Sequence, residues 1–382
     1  MLRLENPVQP YAWGSLTAIP ELLGRAATGA PQAELWLGAH PSAPSQVVGD
    51  AGLDAVIARA PNALLGDAVV ARFGPSLPFL LKVLAAAQPL SLQAHPSLAQ
   101  AREGFAREEA AGIPRAAAHR NYKDANHKPE LICALGTFHA LCGFRKLADS
   151  VALFTGLGEP LGERLSKEGL RAAFQHVMTL PAADQRALAL SVTQACAQRP
   201  PRGFERECAW AVRLGNQYPG DVGVVGALLL NLVTLEEGDA LFLPAGNLHA
   251  YLEGVGVELM ANSDNVLRGG LTPKHVDVAE LLRVLDFGDG PARVLRPTGA
   301  PEAIYETPAP EFRLSRIDVA GPVGLPRSGP DILLVTKGEV ELSCGGEVLD
   351  LAQGESVFVG ADEGALTLDG QGRVFRAAVG TT

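Results

Sequence analysis

The chain has 382 residues, of which 47% are hydrophobic and 19% charged, and its formal net charge is −10. That length exceeds what one ordinary core organises and predicts two or three domains. An acidic balance argues against a nucleic-acid surface, and with no apolar run long enough for a bilayer and no basic-then-apolar leader after Met1, the expectation is a soluble, cytoplasmic protein with neither nucleic acid nor membrane as partner.

In chain order, the first third is rich in Pro and Gly around short apolar runs such as Leu77 to Leu84 and Glu130 to Leu135, which predicts strands and turns. One helix is predicted from Ser97 to about Ala118. From Lys146 to about Gln217 the apolar spacing turns to three and four, with stretches at Gly169 to Met178, Ala183 to Ala197 and Phe204 to Leu214, so an all-α insertion is expected there. Strands resume with the apolar run Ala227 to Leu235 and a turn at Glu236-Glu237-Gly238-Asp239. Thr272 followed by Pro273 has the form of an N-cap with proline in the first helical position, predicting a helix from Thr272 to Leu285. After a Gly- and Pro-rich linker, strand-like segments recur at Asp331 to Thr336, Glu339 to Ser343, Ser356 to Val359 and Ala365 to Leu368. The expected domains are 1–145 with 218–290, the helical insertion 146–217, and a terminal β domain 291–382. The five cysteines are odd in number and widely spaced, as reduced structural thiols are.

Three short segments bring together potential metal ligands. In Ser91-Leu92-Gln93-Ala94-His95-Pro96, an extended backbone puts Gln93 and His95 on one face. Asn126-His127-Lys128-Pro129-Glu130 leads into an apolar strand, with His127 expected either to face away from the ligands or to support them from behind. Gly238 to His249 reads G-x5-P-x-G-x2-H, a tight turn that presents His249. These pieces resemble the two cupin motifs, with Gln93 in place of the first histidine and Glu130 displaced by an insertion. The fold class is therefore mainly β: a cupin-type β-barrel (jelly roll) catalytic domain with an inserted all-α domain and a C-terminal cupin-like β domain. Gln93, His95, Glu130 and His249 form a set with open positions that suits one Zn2+ acting as Lewis acid. Singly, each histidine is more often a packed or surface imidazole, and His139 and His176 are read that way; it is the constellation that carries the metal.

Tyr11-Ala12-Trp13-Gly14-Ser15, Ala33 to Gly38 with His40-Pro41-Ser42, Leu90 to Pro96, Asn126 to Glu130, Tyr218 to Asp221, Pro244 to Tyr251 and Asn262 to Lys274 together resemble the type I mannose-6-phosphate isomerase family as far as about Phe287. The resemblance implies zinc on the four residues above and an essential cation, Arg268, beside the reacting carbons. It also implies a pocket lined by Ser91, Lys128, Tyr251, Glu258, Asp264 and Lys274. The implied reaction interconverts mannose 6-phosphate and fructose 6-phosphate through a cis-enediol, and needs charge stabilisation on oxygen together with a proton carrier. Lys128, Glu258 and Asp264 are the candidate proton carriers, Lys128 being equally suited to hold the phosphate; Ser91, Tyr251 and Lys274 are the candidate substrate contacts. Glu258 stands in an apolar strand, where a carboxylate is rarely left unpaired, so it either faces the pocket or forms a buried ion pair. An iron-dependent dioxygenase and a non-catalytic sugar-binding cupin are the alternatives; the fourth ligand, Gln93, counts against the first and the full ligand set against the second. The expected partner is a small-molecule sugar phosphate, and the expected state a monomer.

Overall fold

The computed structural model describes residues 1–380. Two antiparallel sheets dominate, one of eleven strands and one of nine, with a helical layer between Leu147 and Gln217. The eleven-stranded sheet is organised by a single long strand, His249–Ala261. Its second half lies between Phe79–Ala86 and Glu130–Ala134, while its first half pairs with Phe138–Phe144 and, at His249, with Leu92–Ala94. It passes from one layer to the other at a bulge between Tyr251 and Glu253, next to Gly254 at φ +135°.

Every strand around this junction is buried on both faces, and the period of two sorts its side chains. Leu92, Ala94, Leu248, Ala250, Leu252 and Leu267 pack into one core with the helical layer. Their alternates Gln93, His95, His249, Tyr251 and Arg268 point the other way. In the opposite layer Leu35, Leu37, Leu81, Val83, Leu131, Cys133, Val257 and Leu259 share a core with Leu334, Phe358 and Phe375 of the nine-stranded sheet and with Phe312 just before one of its strands. Their alternates Glu34, Trp36, Lys82, Glu130 and Glu258 face back toward the first layer. A polar space is thereby enclosed between two apolar ones.

The helical layer comprises Leu147–Leu157, Leu161–Thr179, Ala182–Gln198 and Glu205–Gln217, the second broken at Gly169 with φ 81° and ψ 176°. The nine-stranded sheet is not made from the C-terminal segment alone. Leu2–Glu5 pairs with Ser356–Val359 and with Gln46–Val47, so the start of the chain is built into the terminal sheet. Gly238 and Gly354 both adopt left-handed turns, at φ +86° and +85°, ahead of the strands Ala240–Leu243 and Ser356–Val359. Glu237 to Leu243 and Gln353 to Val359, each a glycine turn followed by a strand, therefore share a local form.

Several element boundaries differ from the sequence expectation. The helix after Ser97 does begin there, with a capping box to Gln100, but stops at Ala110, because Gly112 at φ +68° and Pro114 end it. No helix begins at Thr272. Its hydroxyl accepts the Lys274 N–H two residues on, closing a turn, and the helix is Val278–Val284, capped by Asp277, whose Oδ1 accepts the Glu280 N–H at 3.0 Å. The apolar run from Ala227 is divided between the end of a short helix, Gly223–Leu228, and a strand, Leu230–Leu235. Asp331 to Ser343 forms one strand rather than two, since Gly338 at φ +73° follows a register shift within the strand instead of making a turn.

Gly270 fixes the strand Leu267–Gly270 against the short helix beside it. It sits at φ +120°, and a Cβ there would stand 2.6 Å from the Gly223 Cα. Both strain and backbone collision oppose a side chain, so Gly270→Ala is expected to lower unfolding free energy by about 2 to 4 kcal/mol in urea denaturation. An unchanged midpoint would contradict this close approach.

Candidate metal centre and active-site cavity

His95 follows the strand Leu92–Ala94, Glu130 opens Glu130–Ala134, and His249 opens His249–Ala261. The three are 1 to 3% exposed. Glu130 Oε2 lies 3.4 Å from His95 Nε2 and 3.3 Å from His249 Nε2, and one donor atom from each residue lies within 4.8 Å of the others. Among the described residues this is the one group of three or more such side chains that could hold a metal ion.

The fit is chemical as well as spatial. His95 Nδ1–H donates to the Asn265 carbonyl at 2.7 Å and His249 Nδ1–H to the Asn247 carbonyl at 3.0 Å, which fixes the tautomer and leaves both Nε2 lone pairs facing Glu130. Both Nε2 atoms are buried and without a hydrogen-bond partner. Burial holds the His95 imidazole down to a pKa of about 4, so it is neutral at ordinary pH. For Glu130, burial works upward, but the Lys128 ammonium outweighs it and keeps the carboxyl well below the usual carboxylate range. Neutral imidazoles and an ionised carboxylate are the forms that bind a divalent cation.

Gln93 stands directly opposite His249 on one side and Arg268 on the other, so the three side chains share one face. Gln93 and Arg268 open onto a cavity of about 590 Å³ that also takes in Ser91, Lys128, Glu130, Tyr251, Glu258, Asp264 and Lys274. Of the eleven side chains singled out from the sequence, nine line this cavity, and His95 and His249 stand against Glu130 behind it. Lys128 Nζ is 3.1 Å from Glu130 Oε1. Arg268 is half-buried and, among the described residues, has neither a hydrogen bond nor an ion pair; in particular it does not pair with Asp264.

Comparison with known proteins gives this geometry its context. Residues 1–147 match "Phosphomannose isomerase type I, catalytic domain", and residues 303–379 match "Mannose-6-phosphate isomerase, cupin domain". The chain is 42% identical to mannose-6-phosphate isomerase of Shigella flexneri over 98% of its own length and 99% of the relative's. It belongs to the type I mannose-6-phosphate isomerase family. The Rattus norvegicus mannose-6-phosphate isomerase is 35% identical over 94% of this chain and 93% of its own. A crystal structure of mannose 6-phosphate isomerase bound with zinc and yttrium superposes with a TM-score of 0.93 at 40% identity, covering all of both chains. A mainly β, cupin-type fold is thus common to this chain and the isomerase family.

The sequence reading missed several members of the cavity. Lys82 is buried, 3.1 Å from Glu258 and 3.8 Å from Glu34, with its ammonium over the Trp36 ring. Burial would lower its pKa, but the Glu34 and Glu258 carboxylates raise it above the normal lysine range. Glu34 Oε2 also accepts the Trp36 indole N–H at 2.7 Å. Glu258 is pushed up by burial despite Lys82, and it accepts the Tyr251 hydroxyl at 3.0 Å. A signal for Lys82 was present, since a lysine inside the apolar run Leu77 to Leu84 poses the question that Glu258 does. Asn265 was missed for want of any pattern. Fully buried, it accepts the Lys123 N–H, donates to the Asp124 and Asn126 carbonyls, and offers its own carbonyl to His95.

With Glu130 the only carboxylate of the donor group, Glu130→Ala is expected to reduce metal retained after dialysis from near stoichiometric to a small fraction, with the fold intact by circular dichroism. Full metal content in that variant, measured by plasma mass spectrometry, would exclude this centre.

Proposed function

We propose that this chain interconverts mannose 6-phosphate and fructose 6-phosphate through a cis-enediol, with one Zn2+ held by Gln93, His95, Glu130 and His249. One observation carries the reading: the partnerless Arg268 guanidinium opens onto the same cavity as the metal-ligand group. A permanent cation in a partly desolvated cavity, with no carboxylate assigned to it, is suited to an oxygen that gains negative charge during reaction. Bound zinc would supply Lewis-acid stabilisation of substrate oxygen.

The remaining side chains divide the work by their surroundings. The phosphate of the substrate suits the rim, where Lys274 is lowered by burial and by the nearby Arg268 and Lys123 cations. A dianion placed there relieves the crowding of like charge, and Ser91 offers a hydroxyl to the same cavity. No helix starts at Thr272 to assist Lys274, the next helix in the chain beginning at Val278. Tyr251 keeps its proton, burial and Glu258 raising it well above the ordinary phenol range, and its hydroxyl is committed to Glu258. The isomerisation removes a proton from the carbon next to the carbonyl and returns one to the neighbouring carbon. Of the three candidate carriers, Glu258 is engaged by both Lys82 and Tyr251, and Asp264 is 49% exposed at the rim, 3.7 Å from His40. Among the described residues the ammonium of Lys128 pairs with Glu130 alone, and Lys128 lines the cavity, which favours it as the carrier.

Arg268→Ala is expected to lower kcat for mannose 6-phosphate by about 10²- to 10³-fold while retaining zinc. Chelation should abolish turnover of the unaltered protein, and added Zn2+ should restore it. Undiminished turnover after metal removal, or in Arg268→Ala, would reject the mechanism.

A further inference from the structure

We infer that Glu311, in the terminal β domain, is a positioning residue for the metal centre: through His127 it holds the segment that carries Lys128 and Glu130. The inference rests on the reading of that segment as part of the zinc site.

Alternation again supplies the geometry. From His127 to Ala134 the even-numbered side chains Lys128, Glu130, Ile132 and Ala134 face the cavity or the core beneath it, while Leu131 and Cys133 face the core shared with the nine-stranded sheet. His127 lies on that second side and takes no part in lining the cavity. Its Nε2 is 2.7 Å from Glu311 Oε1. A second polar contact lies at the far end of the same face, where Cys133 Sγ donates to the Tyr305 hydroxyl at 3.0 Å and that hydroxyl donates to the Gly238 carbonyl at 2.9 Å. The terminal domain thus grips the ligand-bearing strand at both ends, on the face opposite the cavity.

The Glu311 end is the costly one. Its side chain is 9% exposed, and Oε2 is buried without a hydrogen-bond partner, while Oε1 faces His127. A buried carboxylate with one oxygen unsatisfied is unfavourable by itself, and an apolar residue at this position would avoid that cost. What the carboxylate provides is a directional contact to the residue adjoining Lys128. From the other side the same segment is tied to the loop after Ala261: Ser263 Oγ and Asn265 Nδ2 both donate to the Asn126 carbonyl, and the Asn126 amide donates to the Asn262 carbonyl. Removing Glu311 frees His127 from the terminal domain and leaves the stretch before Glu130 held by that loop and by the pairing of Glu130 with Leu243 and Met260. Groups that orient metal ligands from behind commonly carry 10- to 100-fold of metal affinity.

The test compares Glu311→Ala, Glu311→Gln, His127→Ala and the double alanine variant with the unaltered protein. Zinc affinity is measured by competition with a chromophoric chelator, and kcat and KM with mannose 6-phosphate well below the melting temperature. Glu311→Ala is expected to weaken zinc binding about 10-fold and to lower kcat more than it alters KM. Glu311→Gln, whose amide oxygen can still accept from His127, should recover most of both. The two alanine changes should not add, because each breaks the same contact. Unchanged zinc affinity and kcat in Glu311→Ala overturn the inference, as does a loss that glutamine fails to recover and that only follows a fall in melting temperature. Should the unaltered protein not turn over mannose 6-phosphate, the functional reading fails, and the zinc affinities alone decide the role of Glu311.

Discussion

A single carboxylate, Glu130, is the point on which the centre is balanced. It is almost wholly excluded from water, yet it faces two imidazole nitrogens and an ammonium, the last of which favours its ionised form. An ionised carboxylate at such depth is tolerable only because those neighbours are held in place by bonds made elsewhere. The Asn265 and Asn247 carbonyls orient the rings, and the alternation of Glu130–Ala134 orients the carboxylate. A second charged cluster, Lys82 with Glu34 and Glu258, stands in the same layer and is resolved differently, by direct ion pairing. The first cluster leaves donor atoms free for a ligand; the second consumes them internally.

The fold serves this arrangement by covering each layer with a separate apolar mass. Helices lie behind the strands that carry Gln93, His249 and Arg268, and the nine-stranded sheet lies behind those that carry Lys82, Glu130 and Glu258. Neither cover touches the chemistry, but each fixes the alternate residues of a site strand. Close packing transmits position with little give, so both covers act on the cavity by where they hold the backbone.

Much of this was legible in the sequence, and for identifiable reasons. Ligand-bearing strands announce themselves because period-two alternation and the G-x5-P-x-G-x2-H turn are local, and local patterns survive any tertiary context. Helices in the insertion were visible for the same reason. Thr272-Pro273 misled because a hydroxyl and a following proline serve a turn as well as a cap, and the competing cap at Asp277 with Glu280 prevailed. Gly338 misled because glycine marks both a turn and an irregular strand, and only the pairing partners decide which. Asn265 and the contact between His127 and Glu311 were illegible, since a bond across 184 positions leaves no spacing to read.

The pairing of Leu2–Glu5 with Ser356–Val359 has a consequence for biogenesis. On the ribosome this strand emerges long before Ser356–Val359, and one of its edges must wait unpaired while the intervening layers form. Closure of the nine-stranded sheet is therefore postponed until Ser356–Val359 has been made. The waiting segment is short and carries Arg3 and Glu5, which limits the hazard of pairing with a neighbouring nascent chain in the interval.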